Sequence, residues 1–273
     1  MELTPEKTTK LKEIELEIFK EFISVCQQLN LKYYIIAGTL IGAIRHKGFI
    51  PWDDDIDVAM PREDYEIFIS KGQALLPDNL FIQTHDTDPE YAFNMAKIRN
   101  SDTTFLEESS RNCHINSGVF IDIFVLDNFP SGSLRRKWIL FKDKVYKTAI
   151  GRVFYRKSIS TGLRIRQAIT KLIFPSSYDA LERRERYIRS YAKGELAQNF
   201  GSNYINKEIV PWKWYGKGVE VSFEGLIVNA PSEYHLLLTH IYGDYMQLPP
   251  EEKRVSHHPT DIIDLENPYT KYI

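Results

Sequence analysis

The sequence predicts an α+β fold: a mixed β-sheet with flanking helices, then a basic helical insertion and a C-terminal region of helix and loop. Three observations predict it. Apolar residues step by three and four over residues 8–29, the stripe of an amphipathic helix. Short β-prone runs punctuated by Gly and Pro then follow one another up to about residue 130. From 131 to 201 the pattern turns helical again and strongly basic. The 43% hydrophobic content of the 273 residues suffices for a core of that size.

Taken in order, Leu11, Ile14, Ile18, Phe22, Val25 and Leu29 form the buried stripe of the first helix. "YYIIAG" (33–38) reads as a strand ended by Gly38, and "LIGAIRHKG" regains helical spacing. Gly48, Pro51 and an acidic cluster then turn the chain into a second strand, "DIDVAM" (55–60). Pro61 opens a helix to Gly72, "LFIQTH" and "FNMAKIRN" read as strands, and "GVFIDIFVLD" (118–127) is the most strand-like run in the chain. The sheet is therefore expected before residue 130. After residue 201 the text suggests a hairpin, a helix beginning near Pro231 and a Pro-stopped loop. The expected division is a core over 1–130, a basic insertion over 131–201, and a C-terminal region over 202–273 that completes the site.

Charge is unevenly spread. Residues 131–194 hold 17 Lys/Arg against 4 Asp/Glu, a net +13, while the rest of the chain holds 18 against 33, a net −15. With Trp138, Ile139, Leu140, Phe141, Val145 and Tyr146 interleaved, that segment suits an anionic membrane surface or a polyanionic substrate; ordinary amphipathic helices with solvated basic faces would read the same way. The two cysteines, Cys26 and Cys113, have no metal-ligand spacing around them and imply neither a disulfide framework nor a zinc site. The N-terminal stretch is charged and no run approaches a membrane span, so the expectation is a cytoplasmic protein, peripheral on the inner face of the membrane at most.

The densest chemistry lies at 53–57, where four of five residues are carboxylates. Like charges so close repel, and the cost grows as they leave water, so something positive belongs among them. On a strand, Asp55 and Asp57 share a face. Such a pair suits a hard divalent cation; a solvated turn is the plain alternative. Asp122 sits alone in the apolar run Val119–Val125, where an unpartnered carboxylate is costly, and a metal shared with Asp55 and Asp57 would supply its partner. Asp127, of opposite parity, is the fallback ligand.

Gly38–Thr39 at a strand-to-helix junction, Asp-x-Asp on the next strand and a lone Asp on a later one resemble the nucleotidyltransferase superfamily. In that reading Gly38 lets a phosphate approach the backbone and the Thr39 hydroxyl donates to it. "GTLIGAIRHKGFIPWDDDIDVAMPREDYEIF", "KIRNSDTTF", "GVFIDIFVLD" and "FEG…APSEY…YGDYMQLPPEEKR…HH", arriving in that order, resemble the LicD family across nearly the whole chain. The resemblance implies a phosphocholine transferase that moves the group from CDP-choline to a sugar of teichoic acid or lipopolysaccharide, with a lipid-linked glycan acceptor and no nucleic-acid partner.

For that reaction, two Mg²⁺ (or Mn²⁺) ions on Asp55, Asp57 and Asp122 are expected, with Asp122 as general base. Lys97 and Arg99, on one strand face, and Arg45 and Lys47 are expected at the diphosphate. His46 is the weaker choice of base. A cage for the cationic choline is sought in Trp52 and Trp212, with Trp214 and Tyr215 nearby. Tyr242, Asp244, Tyr245, His257 and His258 match the family's C-terminal motif without a derivable role. The rival readings are a nucleotidyltransferase, with the same metals and the opposite leaving group, and a non-catalytic membrane- or glycan-binding module.

Overall fold

The computed structural model describes residues 4–155, 158–202, 204–254 and 259–272. Helix α1 (Pro5–Gln28) begins where Thr4 Oγ1 accepts from the Lys7 N–H, with Pro5 in its first turn, and it lays Leu11, Ile18, Phe19, Phe22 and Val25 on the sheet. The chain then runs through β1 (Tyr34–Ile35), α2 (Ala37–Arg45), β2 (Asp57–Pro61), α3 (Arg62–Lys71), β3 (Leu80–Gln83), β4 (Ala96–Asn100), β5 (Thr104–Glu107) and β6 (Val119–Phe129). Three helices follow, α4 (Ser133–Ile150), α5 (Thr161–Lys171) and α6 (Ser177–Arg189), and then β7 (Leu196–Asn199), β8 (Val210–Pro211) and the short α7 (Trp212–Tyr215). The hairpin β9 (Val219–Phe223) and β10 (Leu226–Ala230), α8 (Tyr234–Tyr242) and β11 (Thr260–Asp264) complete the order.

The main sheet runs β1-β2-β6-β4-β3, with β2 parallel to β6 and the other pairs antiparallel. Central β6 is the alternating apolar run, extended by two residues beyond its sequence expectation. Three expectations need correction. The strand expected over 33–38 is only Tyr34–Ile35, because Ala37 takes φ 46° and turns the chain into α2. The second strand begins at Asp57, leaving Asp55 in the extended loop ahead of it. The sheet also does not stop before residue 130: β7 pairs with the far end of β6 and β8 with β7, while β11 returns from the C-terminal region to pair with β5 in a separate two-stranded sheet. "LAQN" carries no alternation, so its strand depends on the neighbour that β6 offers.

The basic segment folds as helices and is bolted together by buried charge. Arg184 of α6 donates to Asp143 of α4 at 2.8 Å and to the Phe200 carbonyl at 2.9 Å. Arg62, at the start of α3, grips Asp127 of β6 with two hydrogen bonds of 2.7 and 2.8 Å and lies 3.3 Å from Glu185 of α6. Asp127 is therefore committed to a guanidinium and is not a metal ligand, which removes the fallback. Among the described residues, no helix is long and apolar enough to cross a membrane.

Candidate active site

The parallel pairing of β2 with β6 puts Asp57 directly opposite Asp122, and the antiparallel pairing of β4 with β6 puts Lys97 opposite Asp122 on the other side. Three charged groups thus share one level of the sheet, and all three line a cavity of about 1430 Å³ together with Asp53, Asp55 and Glu107. Lys97 Nζ lies 2.8 Å from Asp122 Oδ1 and 3.7 Å from Glu107, above the Phe120 ring. That contact is an ion pair without hydrogen-bond alignment: Asp122 Oδ1 is buried and accepts no hydrogen bond. Burial, then the charges of Asp55, Asp122 and Asp53, push the Asp57 carboxyl well above the usual carboxylate range, against the pull of Lys97. Among the described residues no three His, Cys, Asp or Glu side chains already stand together as a metal cluster.

The positive partners of the acidic run come from distant sequence. Lys12 of α1 donates to the carbonyls of Ile50 and Pro51 at 3.1 and 3.2 Å, bringing its charge to Asp53 and Asp54. Glu15, one turn on, is buried beside the same acids, and burial first and then Asp55 raise its carboxyl strongly. Asp53 folds back onto the first turn of α2: a Cβ on Gly38 would lie 2.2 Å from Asp53 Oδ2. Gly38 therefore makes room for an anion at the helix N-terminus, and in this structure that anion is a side chain of the protein itself. Thr39 is buried and its Oγ1 accepts from the Asp57 N–H at 2.8 Å, tying α2 to the start of β2. The expectation that its hydroxyl faces the phosphate is corrected: it holds Asp57 in place and does not line the cavity. Thr39→Val should leave that amide without an acceptor and cost about 1–3 kcal/mol in a denaturant melt; no loss would mean that the latch contributes nothing to stability.

A family model described as LicD/FKTN/FKRP, nucleotidyltransferase domain, matches residues 30–150, the stretch that carries α2, β2, β4 and β6. The lipopolysaccharide cholinephosphotransferase LicD of Haemophilus influenzae is 30% identical over 263 residues, covering 89% of this chain and 92% of the relative. The chain belongs to the LicD family. An uncharacterized protein of Rickettsia prowazekii is 32% identical over 115 residues, 42% of this chain and 39% of its own length.

For this LicD family chain the cavity collects some of the other expected site residues and leaves others out. Arg45 is on its wall, donating to the Tyr245 carbonyl at 2.8 Å, and burial followed by the Arg254 charge lowers its pKa. Lys47 is exposed and absent from the cavity; its backbone carbonyl accepts from Glu224 at the hairpin turn. Arg99 shares its strand face with Lys97 but is buried outside the cavity. It donates to Gln83 and to the Gly118 carbonyl at 2.8 Å each and lies 3.3 Å from Glu107, so it braces the sheet and does not reach the cavity. His46 accepts from Arg45 Nε at 2.8 Å, and burial followed by the Arg45 charge lowers its pKa.

The aromatic nominees also divide. Trp52 lines the cavity, but Arg254 already lies 5.5 Å from its ring centroid. Trp212 donates to Asn128 Oδ1 at 3.0 Å and packs in a separate core with Trp214, away from the cavity. The C-terminal family motif acquires a place, since Tyr242, Asp244, Tyr245, Lys253 and Arg254 line the cavity. His257 and His258 lie outside the described residues. Lys147 of α4, Phe93 and Phe154 complete the wall on the insertion's side. Sequence reasoning missed Lys12, Glu107, Lys147 and Arg254 as site residues. Of these only the "PPEEKR" run, already part of the family motif, carried a signal.

Proposed function

We propose that this protein transfers phosphocholine from CDP-choline to a sugar hydroxyl of a lipid-linked cell-surface glycan precursor, of teichoic acid or lipopolysaccharide type, and releases CMP. The observation that carries the proposal is the register of Asp57 against Asp122 inside a cavity rimmed by Arg45, Lys147, Lys253 and Arg254. Kinship with a lipopolysaccharide cholinephosphotransferase gives it a substrate class. Buried carboxylates below and cations around the rim suit a diphosphate bridging the two.

The donor set fits Mg²⁺ or Mn²⁺: hard oxygens only, one of them buried without a hydrogen bond, and a second whose pKa is raised well above the usual carboxylate range by burial and then by its acidic neighbours. Asp55, Asp57 and Asp122 are the residues that would hold one or two such ions. When bound, divalent cations supply charge neutralisation for the diphosphate. The chain's own groups do the rest. Arg45 and Arg254 hold the donor phosphates, and Lys97 orients the Asp122 carboxylate. Asp122 takes the proton of the attacking sugar hydroxyl as the oxygen–phosphorus bond forms. The bond from that phosphorus to the CMP oxygen then breaks, and CMP leaves with the electron pair.

Product analysis tests the reading. Incubation with CDP-choline, Mg²⁺ and a glycolipid acceptor should give CMP and phosphocholine-modified acceptor in equal amounts. Pyrophosphate release from a nucleoside triphosphate, or a nucleotide left on the acceptor, would establish the nucleotidyltransferase instead. No turnover with any donor would favour a binding module.

A lipid-linked acceptor places the reaction at the inner membrane surface, and we propose that α4 and α5 dock there. Leu134, Trp138 and Phe141 form an exposed stripe along α4, with the Trp138 and Phe141 rings stacked 5.7 Å apart. Ile165 and Ile169 along α5, with Leu172 at its C-terminal cap, form another; of α5 only Thr170 is buried. Arg135, Lys137, Arg164 and Arg166 stand among them, as in helices that lie in a lipid headgroup layer.

A further inference from the structure

A smaller pocket of about 150 Å³ opens off the main cavity, and the two share Ala37, Asp57, Phe124, Gly201, Tyr204 and Tyr242 as lining. Its far side is closed by Tyr215, Glu208 and aliphatic residues of α2 and α8. We infer that this side pocket receives the quaternary ammonium of the donor, with Phe124, Tyr204, Tyr215 and Tyr242 as its aromatic walls and Glu208 as its counter-charge. The inference rests on the phosphocholine reading above and gives that reading its specificity residues.

Covalent connectivity sets the place. In phosphocholine the nitrogen is separated from the phosphate oxygen by two carbons, so the cation must rest within one ethylene of the phosphorus under attack. A cage at Trp212 or Trp214 stands away from the cavity, whereas the side pocket has Asp57 in its wall. Phe124 follows Asp122 by two residues on β6 and so shares its face. Its ring has room because residue 201 is glycine: a Cβ there would lie 2.7 Å from Phe124 Cδ1. Tyr204 and Tyr242 meet edge to face at 5.4 Å between centroids, which makes a corner of aromatic surface.

The chemistry of the walls matches a trimethylammonium better than a primary ammonium. Aromatic faces attract a cation without offering it hydrogen-bond acceptors, at about 0.5–2 kcal/mol per face. A primary ammonium would surrender more hydration to enter. Glu208 is buried and accepts from Ser202 Oγ, and burial raises its pKa to about 7 against hydrogen bonds from Ser202 and Asn199 and the charge of Lys147. A cation beside it would relieve that burial cost. Tyr242 shares the wall of the side pocket with both carboxylates, Glu208 and Asp57.

The test is calorimetric titration of CDP-choline, CDP-ethanolamine and CDP-glycerol into the whole protein and into Glu208→Gln and Tyr204→Leu. The first variant is isosteric; the second changes a half-exposed side chain and spares the core. The wild type should bind CDP-choline about tenfold more tightly than CDP-glycerol, with CDP-ethanolamine between, as two modest aromatic faces would give. Each variant should shrink that gap at least threefold while holding CDP-glycerol within about twofold of wild type. A gap unchanged in both variants would overturn the side pocket and leave the donor reading standing. A wild type that does not distinguish the three would overturn the donor reading and the pocket with it.

Discussion

Asp57→Asn is expected to abolish transfer while leaving the protein at least as stable as the wild type. The loss follows from its place: Asp57 faces Asp122 across the β2–β6 pair, on the wall of the cavity proposed to hold the donor diphosphate. Several kcal/mol of transition-state stabilisation at such a centre corresponds to a rate loss of about 10³-fold or more. Stability moves the opposite way. Burial and three acidic neighbours raise the Asp57 pKa in the folded state, so above the ordinary carboxylate range of about 4 the folded protein holds a proton that the unfolded chain has released. Stability is then lost as pH rises through that window, and the neutral amide removes the loss.

Thermal melts of the two proteins should therefore diverge above about pH 4, with the variant gaining on the wild type as pH rises. Saturating Mg²⁺ should raise the wild-type Tm, by about 2.7 kcal/mol of stability at a hundredfold excess over Kd, and should do little for the variant. Near-wild-type turnover by Asp57→Asn in saturating Mg²⁺ would sink the assignment, and so would a magnesium-dependent Tm shift that survives the substitution. Asp122→Asn should lose activity to a similar degree without the same gain in stability, because buried Lys97 would lose its nearest carboxylate and keep only Glu107 at 3.7 Å.

How much of this was legible in the sequence depends on how locally each feature is encoded. Period-two alternation in "GVFIDIFVLD" marked β6, singled out Asp122 and set Asp127 on the other parity, where Arg62 holds it. Helical spacing marked α1, and both members of the Asp-x-Asp pair line the cavity even though β2 begins at the second. Parity misled at Arg99, since a shared strand face does not say which of two cations reaches the cavity, and Gln83 and Glu107 hold Arg99 short of it. Thr39 was placed at the right junction with the wrong partner, because a hydroxyl at a helix start reads alike whether it serves a ligand or a backbone amide. Proximity in sequence misled for the aromatics: Trp212 lies in "PWKWY" yet turns into a second core, and from that run only Tyr215 reaches the side pocket. Lys12, Lys147 and Glu208 were out of reach because tertiary packing alone brings α1 against the acidic run, α4 to the cavity and the β8 approach to the side pocket.

The membrane proposal makes the other large prediction, and it separates two forces that the sequence mixes. The net +13 over residues 131–194 would by itself give vesicle binding that vanishes at high salt, since exposed charges are screened beyond about 8 Å at physiological ionic strength. The exposed stripes on α4 and α5 add a part that salt does not remove. Trp138→Ser, Phe141→Ser and Leu172→Ser together, at about 1 kcal/mol each for partial insertion, should weaken partitioning onto anionic vesicles by about 100-fold at every ionic strength. Arg135→Glu with Lys137→Glu should weaken it chiefly at low salt, at about 1 kcal/mol for each charge removed near the surface. Leu134, Trp138, Phe141 and Leu172 do not line the cavity, so CMP release with a water-soluble sugar acceptor should stay at the wild-type rate in the apolar variant and fall only with acceptor embedded in vesicles. Vesicle sedimentation across a salt series decides the matter. Binding unchanged by the apolar substitutions would make the stripes ordinary solvated helix faces, and binding lost only on charge reversal would reduce the platform to electrostatics.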